Sequence, residues 1–104
     1  MVAIPTDVTV SVERFLEAVR QEWRIREAYL YGSQVRGQAA EWSDIDVAVV
    51  SVDRPADVWE DQLRLMRLAS AIDPRIEPRL FAADDFTLSN PLVDEIRRRG
   101  IRIG

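Results

Sequence analysis

Asp44 and Asp46 stand one residue apart in the run SDIDVAVVSV. Side chains of a strand alternate faces, so both carboxylates project to one side and Ile45 to the other. Val47, Ala48, Val49 and Val50 continue as a strand buried on both faces. Two carboxylates at the mouth of such a strand repel each other, and a divalent cation is the commonest compensation. Upstream, Gly32 and Ser33 end another apolar run and offer backbone N–H groups and a hydroxyl, a cradle for phosphate. Arg36 adds a fixed positive charge suited to a triphosphate. Glu77 interrupts the apolar stretch RIEPRLFA and is the candidate third carboxylate. A site of this kind holds one or two ions. One activates the attacking oxygen and the other orients a triphosphate, with the third carboxylate available as base. A lone Gly-Ser is a turn, a lone Asp-x-Asp a wet strand edge, and a lone Glu or Arg a surface charge. Together, with the glycine closing one strand and the aspartates opening the next, they point to metal-assisted chemistry on a nucleotide.

Composition narrows the classes. The 104 residues suit one domain, spanning 1–104, with one core and no room for a second module. Apolar residues make up 47% and charged residues 31%, and the net charge is -4. That balance argues against broad electrostatic binding of nucleic acid. All 14 basic residues are arginine, which excludes a Schiff-base or P-loop lysine. Without histidine or cysteine, a metal site must use oxygen ligands, which favours Mg2+ or Mn2+. No apolar run is long enough to span a bilayer, and the first residues lack the pattern of a secretory signal. A cytoplasmic location is expected.

The elements that must position these residues follow from periodicity. Met1–Thr6 reads as an extended or frayed lead-in. A helix is expected from about Ser11, capped by Ser11 or Thr9, with Val12, Phe15, Leu16, Val19 and Trp23 on one stripe. Ala28–Tyr31 is a strand, Ser33–Arg36 a helical turn closed by Gly37, and Asp44–Val52 a second strand of undetermined direction. Ala56–Ile72 is a helix with Val58, Leu63, Met66, Ala69 and Ile72 on its apolar face, widened by Leu65 and Leu68. Met66 is read as core filler. Arg75–Ala82 is a strand that Pro78 assigns to an edge or a distortion. Asp84–Phe86 begins a turn or short helix. Asn90-Pro91 caps a last helix ended by Gly100, and Ile101–Ile103 adds a final strand. The sum is a small mixed sheet flanked by helices, an α/β (α+β) domain.

The run YGSQVRGQAAEWSDIDVAVV resembles the signature of the DNA polymerase beta-like nucleotidyltransferase superfamily. Short length, the Gly-Ser-x-x-Arg-Gly form and the downstream RIEPRLF resemble its minimal nucleotidyltransferases. The resemblance implies the palm-like fold. It implies that Gly32, Ser33 and Arg36 meet the nucleotide phosphates and that Asp44, Asp46 and Glu77 are metal ligands. Aspartate is common at the third position, so Glu77 departs from the usual pattern. The implied activity is transfer of AMP from ATP to a hydroxyl, typically a tyrosine of a small helical HEPN toxin, which silences it. The acceptor surface is then expected from a HEPN partner or from a second copy of the chain. Two other functions are open: an antitoxin that acts by binding alone, and an adenylyltransferase for small molecules such as antibiotics. Trp42 and Trp59 serve either a partner interface or packing, and Trp59, beside its helix's apolar stripe, favours the interface.

Overall fold

The computed structural model describes residues 3–104, so the first two residues of the expected lead-in lie outside the described residues. Helix α1 runs Thr6–Arg20, strand β1 Ile25–Tyr31, the short helix α2 Ser33–Arg36 and strand β2 Ile45–Ser51. Helix α3 runs Val58–Ile72 and strand β3 Ile76–Ala82; a 3-10 turn over Ala83–Asp85 leads to helix α4, Pro91–Arg99, and strand β4, Ile101–Arg102. The four strands form one mixed sheet in the order β3-β2-β1-β4. β1 pairs antiparallel with both β2 and β4, whereas β2 and β3 are parallel, joined through α3. β3 is an edge strand, which is where Pro78 belongs.

Alternation along the strands divides the core in two. Ala28 and Leu30 of β1, Ile45, Val47 and Val49 of β2, and Ile76 of β3 face α1 and α3. Tyr29, Ala48, Val50 and Phe81 face the other way, under Phe86 and the α4 residues Val93 and Ile96. Phe86 stacks on Tyr29 and meets Phe81 edge-on. Arg97 of α4 lies over the Phe86 ring and reaches the buried carboxylate of Glu27. α4 is short and covers only part of this second face, so the sheet is open where β1 ends and β2 begins.

Two expectations need correction. α1 begins at Thr6, a full turn before Ser11, because Val8 extends the stripe of Val12, Phe15, Leu16 and Val19 into the core. Burial outweighs the poor helix propensity of the β-branched run TDVTV. Pro5, not a hydroxyl residue, precedes the helix, and Trp23 packs on the core from beyond its end. In α3 the buried residues are Leu65 and Ala69, with Leu68 and Ile72 packed beside them. Val58, Leu63 and Met66 are 57%, 45% and 46% exposed, so Met66 is not core filler. The buried face is set by Leu65 and Ala69, with Gln62 bonded to the edge of β3 beside them.

Candidate active site

The turn after β1 sets the site. Gly32 has φ 78° and ψ −147°, a conformation that side chains disfavour. A Cβ at this position would also run into the Asp46 carboxylate. The positive φ is what calls for glycine here, and the crowding by the end of the Asp46 side chain adds to it. Its carbonyl accepts from the N–H groups of Val35 and Arg36, which winds Ser33–Arg36 into one helical turn. Gly37, at φ 72°, ends that turn in the left-handed conformation. Gln34 is buried and donates to the Asp44 carbonyl at 3.4 Å, tying α2 to the start of β2.

Asp46 is on β2, opposite Tyr31 of β1 on one side and Glu77 of β3 on the other. Strands in register lie about 4.8 Å apart, so Asp46 and Glu77 are near neighbours on the uncovered part of the second face. Asp44 comes just before the strand, which starts at Ile45 rather than Asp44. Burial raises the Asp46 carboxyl above its ordinary range, and repulsion from Asp44 and Glu77 raises it further. Arg36 and Arg79 oppose that shift without cancelling it. Tyr31 is raised as well, by burial first and then by Asp46, with Arg79 again opposing.

Of the residues chosen from sequence, the structure sets Gly32 against Asp46, Glu77 opposite it on β3, and Asp44 and Arg36 within electrostatic reach, with Ser33 opening α2 beside Gly32. It adds three groups that sequence did not single out. Arg79 follows Glu77 by two residues and so shares its face; strand alternation alone could have found it. Tyr31 precedes the glycine turn. Glu95 of α4 holds Arg36 in an ion pair of 3.7 Å, a contact with no local sequence signal.

The donor set is oxygen only and carries excess negative charge, which suits a hard divalent cation. Among the described residues no three acidic side chains are drawn together into a ready-made cage. Asp46 and Glu77 fit such an ion by type, charge and register, with Asp44 just before the strand.

The sequence profile of the nucleotidyltransferase domain matches residues 12–96. The chain belongs to the nucleotidyltransferase domain family. A search among curated proteins gives no match in sequence. Solved structures share the nucleotidyltransferase fold at low identity. A candidate nucleotidyltransferase from Sulfolobus solfataricus is similar at 17% identity and TM-score 0.67, over 92% of this chain and 78% of that one. A toxin–antitoxin structure with AMP-PNP is similar at 24% identity and TM-score 0.65, over 86% of this chain and 69% of that one. A structure of tri-AMPylated HEPN toxin from Shewanella oneidensis with MNT antitoxin is similar at 21% identity and TM-score 0.62, over 91% and 70%. In this nucleotidyltransferase domain, as among the described residues generally, no helix is long and apolar enough to cross a membrane.

Proposed function

We propose that the chain transfers AMP from ATP to a hydroxyl of a protein partner, a tyrosine of a HEPN-type toxin, and so acts as its antitoxin. The observation that carries this reading is the placement of Asp46: pressed against the Gly32 turn, in register with Glu77, and on the part of the sheet that α4 leaves open. Family membership supports the transfer chemistry, and the toxin–antitoxin structures of similar fold support the acceptor class.

In this reading Ser33 and the Gly32 turn receive the β- and γ-phosphates, and Arg36 and Arg79 balance the charge of the pyrophosphate. A divalent cation, Mg2+ or Mn2+, held by Asp44, Asp46 and Glu77 would bind phosphate oxygens and stabilise the leaving group. The acceptor oxygen attacks the α-phosphorus. One P–O bond forms there, the bond to the β-phosphate bridge breaks, and pyrophosphate leaves. Glu77 accepts the hydroxyl proton. Asp46 is poised for this task by its cost: a carboxylate raised by burial and repulsion gains most when positive charge arrives.

The test is mass spectrometry of a HEPN-type toxin after incubation with the chain, ATP and Mg2+. The partner is expected to gain one or more AMP groups. Asp46→Asn is expected to slow that gain by about a hundredfold or more, the scale of losing one preorganised charge at a transition state. An unchanged partner mass, or full transfer by the variant, would overturn the reading.

A further inference from the structure

Asp44 lies where both strand ladders have run out. The pairing of β2 with β1 ends at Asp46 opposite Tyr31, and its pairing with β3 ends at Ile45 opposite Ile76. One residue earlier, the peptide joining Asp44 to Ile45 has no β1 beside it, because the chain has turned away at Gly32. A planar trans peptide points its N–H and its C=O to opposite sides. The Ile45 N–H donates to the Arg75 carbonyl at 2.8 Å, on the side of β3. The Asp44 carbonyl therefore faces the side that β1 has left. There Gln34 takes the place of the strand, its Nε2 donating to that carbonyl at 3.4 Å.

An amide is a poor choice for packing alone at this position. Gln34 is 3% exposed, inside the helical turn that carries Ser33 and Arg36. Its Oε1 is buried without a hydrogen-bond partner among the described residues. A buried acceptor left unpaired costs stability, and an apolar side chain of the same length would avoid that cost. Val35, the next residue of the turn, already packs on the core without any polar group. What an apolar side chain cannot supply is the N–H that meets Asp44. One buried side chain thus sets the spacing between the turn bearing Ser33 and Arg36 and the first carboxylate of the pair.

We propose that Gln34 is a positioning residue for the carboxylate pair. It orients the Asp44–Ile45 peptide, and through it aims the Asp44 side chain at the cation held with Asp46. Gln34 itself touches neither the cation nor the nucleotide. The proposal rests on the reading that Asp44 is a ligand of a divalent cation.

The experiment uses the full chain with Gln34→Met and Gln34→Leu, which keep an apolar side chain of similar bulk and remove the amide, beside Asp44→Asn. Mn2+ binding to the chain without nucleotide is read from the EPR signal of the free ion. Transfer of AMP to a HEPN-type toxin is read across Mg2+ concentration. Both Gln34 variants are expected to weaken Mn2+ binding about tenfold, the low end of what losing a group that orients a metal ligand costs. The Mg2+ needed for half-maximal transfer rises by a similar factor, and most of the rate returns at saturating Mg2+. Tm holds or rises. If Asp44→Asn loses Mn2+ binding while both Gln34 variants keep it, the positioning role is overturned and the metal site stands. If Asp44→Asn binds Mn2+ as the wild type does, Asp44 is no ligand and the reading underneath fails too. A lowered Tm in both Gln34 variants would make the glutamine a residue of the fold and overturn the proposal.

Discussion

Asp46 and Asp73 are the same residue in opposite circumstances. Asp73 ends α3 and is largely buried, yet every lone pair it offers is used. It accepts from the Arg75 backbone N–H at 3.0 Å, from the Arg75 guanidinium at 2.8 and 3.1 Å, and from the Ser11 hydroxyl at 2.7 Å. Arg75 also reaches Asp7 and the Glu41 carbonyl, so one ion pair joins α1, α3, β3 and the loop before β2. The Asp73 carboxyl is held far below its usual range, first by the Arg75 side chain. Among the described residues Asp46 has neither a hydrogen-bond donor of that kind nor a cation in contact, and burial and its acidic neighbours push it up. The contrast separates a carboxylate that holds the fold from one kept available for a ligand. Arg75 also fixes the start of β2 indirectly, since its carbonyl accepts from the Ile45 N–H at 2.8 Å. The satisfied aspartate thus braces the strand that carries the unsatisfied one.

The largest expected effect on stability lies at the brace. Asp73→Ala leaves the Arg75 guanidinium without its main partner and the Ser11 hydroxyl without its acceptor. The expected loss is about 2–3 kcal/mol, read from denaturant midpoints. pH sharpens the contrast, because the two groups act with opposite sign. Asp73 is depressed, so its contribution is present above the unfolded value near pH ~4 and is lost as pH falls below it. Asp46 is raised, so its contribution is present below that value and is lost as pH rises through its folded pKa. A stability profile of Asp73→Ala should therefore fall less steeply than wild type on acidification. Asp46→Asn should do the reverse and gain over wild type towards neutrality, by about 0.5–1 kcal/mol, the modest scale of relieving a site strained for function. A destabilised Asp46→Asn would contradict the view that Asp46 costs the fold something. If both variants shifted the profile in the same direction, the contrast itself would be lost.

This division also explains what the sequence disclosed. The glycine turn, Ser33, Arg36 and the aspartate pair are close in the chain, and their local geometry follows from strand alternation and one positive φ. They could be read directly. Glu77 could be read because an acidic residue in an apolar strand is conspicuous, and β3 then lies parallel to β2 in the register that sets it beside Asp46. The brace could not be read. Ser11 was expected as a helix cap but lies inside α1, its hydroxyl turned to Asp73, a partner 62 residues away. Met66 and Leu63 were assigned to the core because apolar residues at helical spacing do not reveal which of two adjacent faces meets the sheet. In the fold Leu65 and Ala69 take that place, with Gln62 bonded to the edge of β3 beside them. Glu95 escaped for a similar reason, since it approaches Arg36 only through the docking of α4 on the sheet.

Glu95 supplies the smallest and most pointed test. Arg36 is a cation beside Asp46 that is not spent on it; it is shared with Glu95, both side chains being less than half exposed. An ion pair so exposed contributes about 0–1 kcal/mol, so it can hold Arg36 without locking it. An incoming triphosphate must compete with Glu95 for the guanidinium. Glu95→Gln removes the competitor and keeps the shape of the side chain. AMP-PNP binding measured by calorimetry is expected to tighten by about two- to fivefold, the range that corresponds to a weak surface pair. The gain should shrink as salt rises, because the competing contact is screened. Removing the same charge also leaves Arg36 freer to offset Asp46, so the stability gain of Asp46→Asn should be smaller in a Glu95→Gln background. Additive effects would mean that Arg36 does not link the two carboxylates, and Asp46 would then be left to the ligand alone.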